Sequence, residues 1–226
     1  MALDTRHFTD EMATLAQRLL AMGGLAEERL RAAVQALVDR DRDAIANVIH
    51  GDAAINALHV EIDDRCFKLL ALHQPMAVDL RTIVATVKIN ADLERVGDLA
   101  VNIAEAADRY VQHPPVKMLI DLPRMGAIAE GMLRESLDAF VSLDIPRARR
   151  VLARDDELDA LKNQVFRELL TYMLADPRTI EPALDLVLVS RHLERVGDHA
   201  TNVAEDVVFI VEARDVRHHA GEPGGI

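Results

Sequence analysis

LERVGDLAVNIAE at residues 93–105 and LERVGDHATNVAE at residues 193–205 agree at ten of thirteen positions, at an offset of 100. Two more pairs stand upstream in the same order. MGGLAEERLRAAVQALV (22–38) matches MGAIAEGMLRESLDAFV (125–141) at eight of seventeen positions, with an offset of 103. DAAINAL (52–58) matches DDELDAL (155–161) at the same offset of 103. Three ordered matches mark a duplicated unit, so the fold question reduces to one half built twice. The offset drops by three near HQPMAVD (73–79) and LADPRT (174–179), which places a loop of different length there in each half.

Each unit reads as three helices. Leu30, Val34 and Leu37 recur at helical spacing in the first segment, as do Leu58, Ile62 and Leu69 in the second. Ala, Leu, Glu and Arg dominate, and alternating β-branched runs are scarce. Turn chemistry supplies the breaks: Asp39-Arg40-Asp41 and Gln74-Pro75 in the first half, Asp144-Ile145-Pro146 and Asp176-Pro177 in the second. His113-Pro114-Pro115 closes the first unit, because a double proline cannot continue a helix. The predicted fold is all-α, a tandem duplication of two antiparallel three-helix bundles with six helices. The bundles are expected over residues 1–113 and 114–215, followed by a Gly/Pro-rich tail, 216–226, expected to be disordered.

Composition narrows the function classes. The chain has 226 residues, half of them hydrophobic, and a formal net charge of −12. Such a surface repels phosphate backbones, which argues against nucleic acid as a partner. One cysteine, Cys66, allows no intrachain disulfide and fits a reducing compartment; a packed thiol is expected. No basic start followed by an apolar run resembles a secretory signal, and no stretch approaches the ~20 apolar residues of a membrane span. A cytosolic setting without direct membrane insertion is expected.

The best-repeated pattern is Glu-x-x-x-Asp-x-x-x-Asn-x-x-Glu: Glu94, Asp98, Asn102 and Glu105, then Glu194, Asp198, Asn202 and Glu205. At 3.6 residues per turn these four side chains fall within about 80° of arc. Ile89, Leu93, Val96, Ala100 and Ile103 occupy the opposite side as the natural core face. Like charges at i, i+4 cost a few tenths of a kcal/mol, so Glu94/Asp98 is mildly unfavourable unless Arg95 offsets it. A solvated face is the bland reading of one such run. Two copies that diverged elsewhere yet kept Glu, Asp, Asn and Glu point to a shared requirement. The second helices add Asp52 and Asn56, with His59 and Asp63 further along, in one unit; Asp155 and Asp159, followed by Lys162, in the other. Converging carboxylates either bind a cation or raise one another's pKa. Oxygen donors suit Mg, Ca or Mn, and also iron. Glu27 and Glu130 each have an arginine four residues on, Arg31 and Arg134, and read as salt bridges, with metal ligation as the lesser alternative. Gly97 and Gly197 read as points of close helix approach, or else as room for a ligand, whereas His192 and His199 are weak ligand candidates, having Asp92 and Leu99 at the matching places.

These residues resemble the PhoU family, the accessory regulators of phosphate-specific transport. The twin LERVGD segments, QPMAVDLR (74–81), MGGLAEE and the DxxIN/DxxLD segments carry the resemblance across nearly the whole chain. It implies a tandem pair of three-helix bundles, a homodimer, and multinuclear iron or zinc on Glu94, Asp98, Glu194 and Asp198, with Asp52, Asp155 and Asp159 from the second helices. Asn56, standing where the second unit has Asp159, departs from a fully carboxylate cluster. It further implies a negative regulator of phosphate homeostasis that acts by contact, linking the nucleotide-binding subunit of a phosphate ABC transporter to a sensor histidine kinase. An accessory role with another transporter is the nearby alternative.

No catalytic constellation accompanies the repeat: there is neither a GxxxxGK[ST] phosphate loop nor a GxSxG elbow. A metal-dependent bundle enzyme of the di-iron type would want Glu-x-x-His on paired helices. The nearest spacings are Asp4-x-x-His7 and Asp215-x-x-His218, close to the chain ends. The expected function is therefore non-enzymatic.

Overall fold

The computed structural model describes residues 2–51 and 53–214, with side chains from His7 onward. Asp52, the 216–226 tail and His218-His219 lie outside the described residues, as does the side chain of Asp4. Four helices make the first unit: α1 (Ala2–Asp39), α2 (Arg42–His50), α3 (Ala53–His73) and α4 (Ala77–Tyr110). Three make the second: α5 (Asp121–Ser142), α6 (Ile145–Ala175) and α7 (Ile180–Glu212). The described residues contain no strand. The protein is all-α and duplicated, on the six-helix plan that the sequence predicts. One helix departs from that plan. The second helix of the first unit is broken at Gly51 into α2 and α3, where its counterpart α6 runs unbroken.

The repeat is visible in the local chemistry. Arg40 and Leu143, 103 residues apart, both adopt left-handed backbone (φ 56° and 50°) at the turn into the second helix. Asp41 and Asp144 follow them as N-caps. The Asp41 carboxylate accepts from the backbone N–H groups of Asp43 and Ala44 at 3.0 Å, and that of Asp144 from Arg147 at 2.9 Å. The second turns differ, as the change of offset requires: Gln74 and Ala77 take positive φ in one half, while Asp176 caps a single 3-10 turn, Pro177–Thr179, in the other.

The predicted core faces are buried. Leu93, Val96, Ala100 and Ile103 are 0% exposed, and so are Leu193, Val196, Ala200 and Val203. The two bundles do not hang from a linker; they share one continuous hydrophobic core. Its most extensive helix–helix contact is between α4 and α7. Polar contacts there run from Lys88 to Asp206, Asp92 to Asn202 and Arg109 to Asp185, so the two third helices are antiparallel. α1 and α5 complete the junction. A Cβ placed on Gly126 would lie 3.1 Å from Val34, and one on its repeat mate Gly23 would lie 2.3 Å from Leu137, itself the mate of Val34. Each glycine therefore receives the other unit's branched side chain, and the halves are related by an approximate twofold.

Candidate functional site

The second unit brings its predicted residues together. Asp155 and Asp159 lie on α6, and Glu194 and Asp198 on the facing part of α7. Gly197 permits the approach: a Cβ there would sit 2.6 Å from Leu158 Cδ2 and 3.7 Å from Asp155 Oδ1. Close helix approach is thus the role of this glycine. Lys162 occupies the middle of the cluster, its Nζ 2.6 Å from Asp159 and 2.7 Å from Glu194. Both contacts raise the pKa of its ammonium group. Asp155 and Asp198 have no ion pair among the described residues. The Asp155 carboxyl is lifted above its ordinary range by burial first and by the charges of Asp159, Asp156 and Glu194 second. Asp198 is open to solvent along one edge, yet burial of its carboxyl, followed by the charges of Glu194 and Asp155, lifts it too.

The first unit treats the same motif differently. Arg95 lies 3.0 Å from Asp98 and 3.6 Å from Glu94, the neutralisation that its position beside the stripe suggests. On α3, His59 lies 3.6 Å from Asp63. Asn90, fully buried on α4, donates to the Asp63 carboxylate and to the His59 carbonyl at 2.9 Å each. Asp52 cannot be placed against Glu94 and Asp98. Asn102 is half-buried on α4. Asn202 leaves its stripe, donating instead to Asp92 across the bundle junction at 3.1 Å, where His199 Nδ1 also meets Asp92 at 2.7 Å.

As a cation site the arrangement is incomplete. The donor chemistry of Asp155, Asp159, Glu194 and Asp198 suits a hard ion. Yet among the described residues no group of three or more His, Cys, Asp or Glu is placed to hold a metal. In the second unit Lys162 takes oxygens that a metal would need.

Sequence reasoning missed the junction chemistry. The Asp92–His199–Asn202 cluster, Lys88–Asp206 and Arg109–Asp185 all involve positions where the repeats differ, so the duplication gave no signal. Glu27 and Glu130 do form salt bridges, with a changed pairing: Arg134 reaches Glu27 at 3.0 Å and Arg31 reaches Glu130 at 2.6 Å, across α1 and α5. Within a helix, Arg134 also pairs with Glu130. Cys66 is the packed thiol expected, its pKa pushed up to about 12 by burial. His192 is partly buried, and burial together with Arg195 and Arg191 lowers its pKa.

Two helical bundles packed about an approximate twofold, each with a Glu-x-x-x-Asp stripe on its last helix, define a class of duplicated all-α proteins. The PhoU domain model matches residues 19–107 and again 122–207. The chain belongs to the PhoU family. It is similar to the "phosphate-specific transport system accessory protein PhoU homolog" of Caulobacter vibrioides (strain NA1000 / CB15N), 43% identical over 205 residues, 90% of this chain and 89% of that one. The "phosphate-specific transport system accessory protein PhoU" of Escherichia coli (strain K12) is 36% identical over 217 residues, 95% of this chain and 89% of that one. Among solved structures, PhoU from Pseudomonas aeruginosa superposes with a TM-score of 0.88 at 38% identity, covering 92% of this chain and all of that one. The phosphate transport system regulatory protein PhoU from Streptococcus pneumoniae gives 0.85 at 28% identity, covering 92% and 99%.

Proposed function

We propose that this protein regulates phosphate transport by contact, as a cytosolic accessory protein that damps phosphate-starvation signalling while phosphate is plentiful. The supporting observation is the family membership together with the geometry: each helix spends one stripe on a shared core and leaves broad surfaces open. No helix among the described residues is long and apolar enough to cross a membrane. The partners proposed are the nucleotide-binding subunit of a phosphate ABC transporter and a sensor histidine kinase, with the chain acting as a homodimer. Deleting the gene should switch the starvation response on in phosphate-replete cells. Complementation with a Glu94→Lys, Glu194→Lys variant should fail while that variant keeps its helical content, because both residues lie off the core face. Unchanged expression and uptake in the deletion strain would refute the regulatory reading.

Cation binding at the stripes is a separate proposal. Iron or zinc follows from the family resemblance, and Mg, Mn or Ca from the oxygen donors. In the second unit it requires Lys162 to leave Asp159 and Glu194. Elemental analysis of protein purified without chelator should find metal that Asp198→Ala loses; equal metal in both proteins would remove this site from consideration.

A further inference from the structure

The groove between α6 and α7 continues beyond the acidic stripe and changes character. Next to Glu194 and Lys162 it opens into a cleft of about 350 Å³ lined also by Phe166, Val187 and Arg191. Phe166 is 50% exposed. Leu170, one turn on from Phe166 along α6, is 41% exposed, and Leu184, three residues before Val187 on α7, is 50% exposed. Single exposed apolar side chains need no explanation, but Phe166 on the cleft wall, with Leu170 and Leu184 carried by helical spacing onto the same faces of the two helices that wall it, marks a contact surface.

The charges bordering that surface run against the rest of the molecule. The chain carries a net charge of −12, yet Arg191 stands exposed at the cleft with no carboxylate in ion-pair range among the described residues. Lys162 beside it is already held by Asp159 and Glu194. Seven-residue steps put Asp198, the cation Arg191 and the apolar Leu184 on one face of α7, the face that Arg191 presents to the cleft. Fourteen residues of helix separate Asp198 from Leu184, about 21 Å at 1.5 Å per residue. Segments that dock in such grooves are recognised by apolar anchors at helical spacing, with complementary charges fixing their direction.

We propose that this groove binds one amphipathic helical segment, about four turns long, of a partner protein. The segment presents apolar side chains to Phe166, Leu170 and Leu184, an Asp or Glu to Arg191, and a Lys or Arg to Asp155 and Asp198. The first unit does not offer the same seat. Repeat alignment puts Asp63 where Phe166 stands and Ala91 where Arg191 stands. The duplicated protein therefore docks this segment through its second unit only. This deepens the contact reading above and rests on it.

Binding of the full-length protein to the purified nucleotide-binding subunit of its phosphate transporter, and to the soluble part of its sensor kinase, tests the proposal. Phe166→Ser and Arg191→Glu should each weaken the association at least tenfold, with circular dichroism and thermal melts unchanged because both side chains are exposed. Phe67→Ser, the first-unit control at the position matching Leu170, should change it less than twofold. If the parent binds neither partner, the contact reading falls and the docking proposal falls with it. If the parent binds and Arg191→Glu binds equally well, the acidic-segment proposal alone is overturned, and so is the groove if Phe166→Ser also binds as the parent does.

Discussion

In the first bundle Asp98 rests 3.0 Å from Arg95; in the second, Arg195 holds the matching repeat position, yet Asp198 makes no ion pair among the described residues. The motif is the same, and the facing helix decides the outcome. α3 offers Asn56, His59 and Asp63 to its third helix, whereas α6 offers Asp159, Lys162 and Phe166 at the matching places. In the first unit the stripe is quenched from within its own helix. In the second, the carboxylates gather around a lysine borrowed from the neighbouring helix, and Asp155 and Asp198 are left with raised pKa values. A duplicated motif thus specifies where oxygens point; the less faithfully copied second helix sets their electrostatics.

The largest expected effect concerns whether the halves are separable at all. Asp185 on α7 is 5% exposed and pairs with Arg109 of α4 at 2.8 Å. Arg109→Met strands that carboxylate at the junction. Breaking a buried pair costs ~3–5 kcal/mol, and the lower end applies because half of the Arg109 side chain faces water. Calorimetry should show one transition at lower temperature, with Asp185→Leu added in the same chain recovering most of the loss. Two separate transitions would mean that the bundles fold independently and the shared core contributes little.

A smaller effect isolates the second unit. Gly197→Val would drive its side chain into Leu158, 2.6 Å from the first added carbon. Overpacking of this kind costs about 1–3 kcal/mol. The melting temperature should fall, and Asp155 should move away from Asp198. A Gly24→Ala control on α1, where nothing lies within 4 Å of the new methyl group, should raise stability by about 0.5–1 kcal/mol. Equal losses from both substitutions would show that Gly197 is not a packing contact.

The fold was legible because duplication states it twice: offsets locate the loops, and a stripe of Leu, Val, Ala and Ile locates each core face. Gly51 escaped notice because the second copy carries Arg154 there, so the break has no repeat to announce it. The shared core escaped for a related reason. Gly23 and Gly126 were visible as a repeated pair, but nothing local says that each receives a side chain from the opposite unit. The acidic site was legible as a set of residues and illegible as an arrangement. Lys162 was seen on the α6 stripe, while its seat between Asp159 and Glu194 depends on how α6 and α7 are rotated. Asn202 matched the motif and yet bonds across the junction, since Asp92, its partner, is present in one copy only.

The smallest effect is the sharpest test of the comparison, because the two bundles should answer with opposite signs. Asp198 has a raised pKa in the folded chain, from burial first and from Glu194 and Asp155 next. A raised carboxylate contributes its stability in full below the unfolded value near ~3.9 and loses it as pH climbs through the folded value. Asp198→Asn removes that loss, so the variant should be the more stable protein at pH 7 and should match the parent at the acid end. Solvent screening of a partly open group keeps the gain within about 1 kcal/mol, roughly 1–3 °C in melting temperature. Added salt should shrink it further. Asp98→Asn breaks the contact with Arg95 instead, and should cost about 0.3–0.5 kcal/mol at neutral pH. Should Asp198→Asn destabilise the protein at pH 7 as Asp98→Asn does, its carboxylate has a favourable partner, and the contrast between a quenched stripe and an open one is lost.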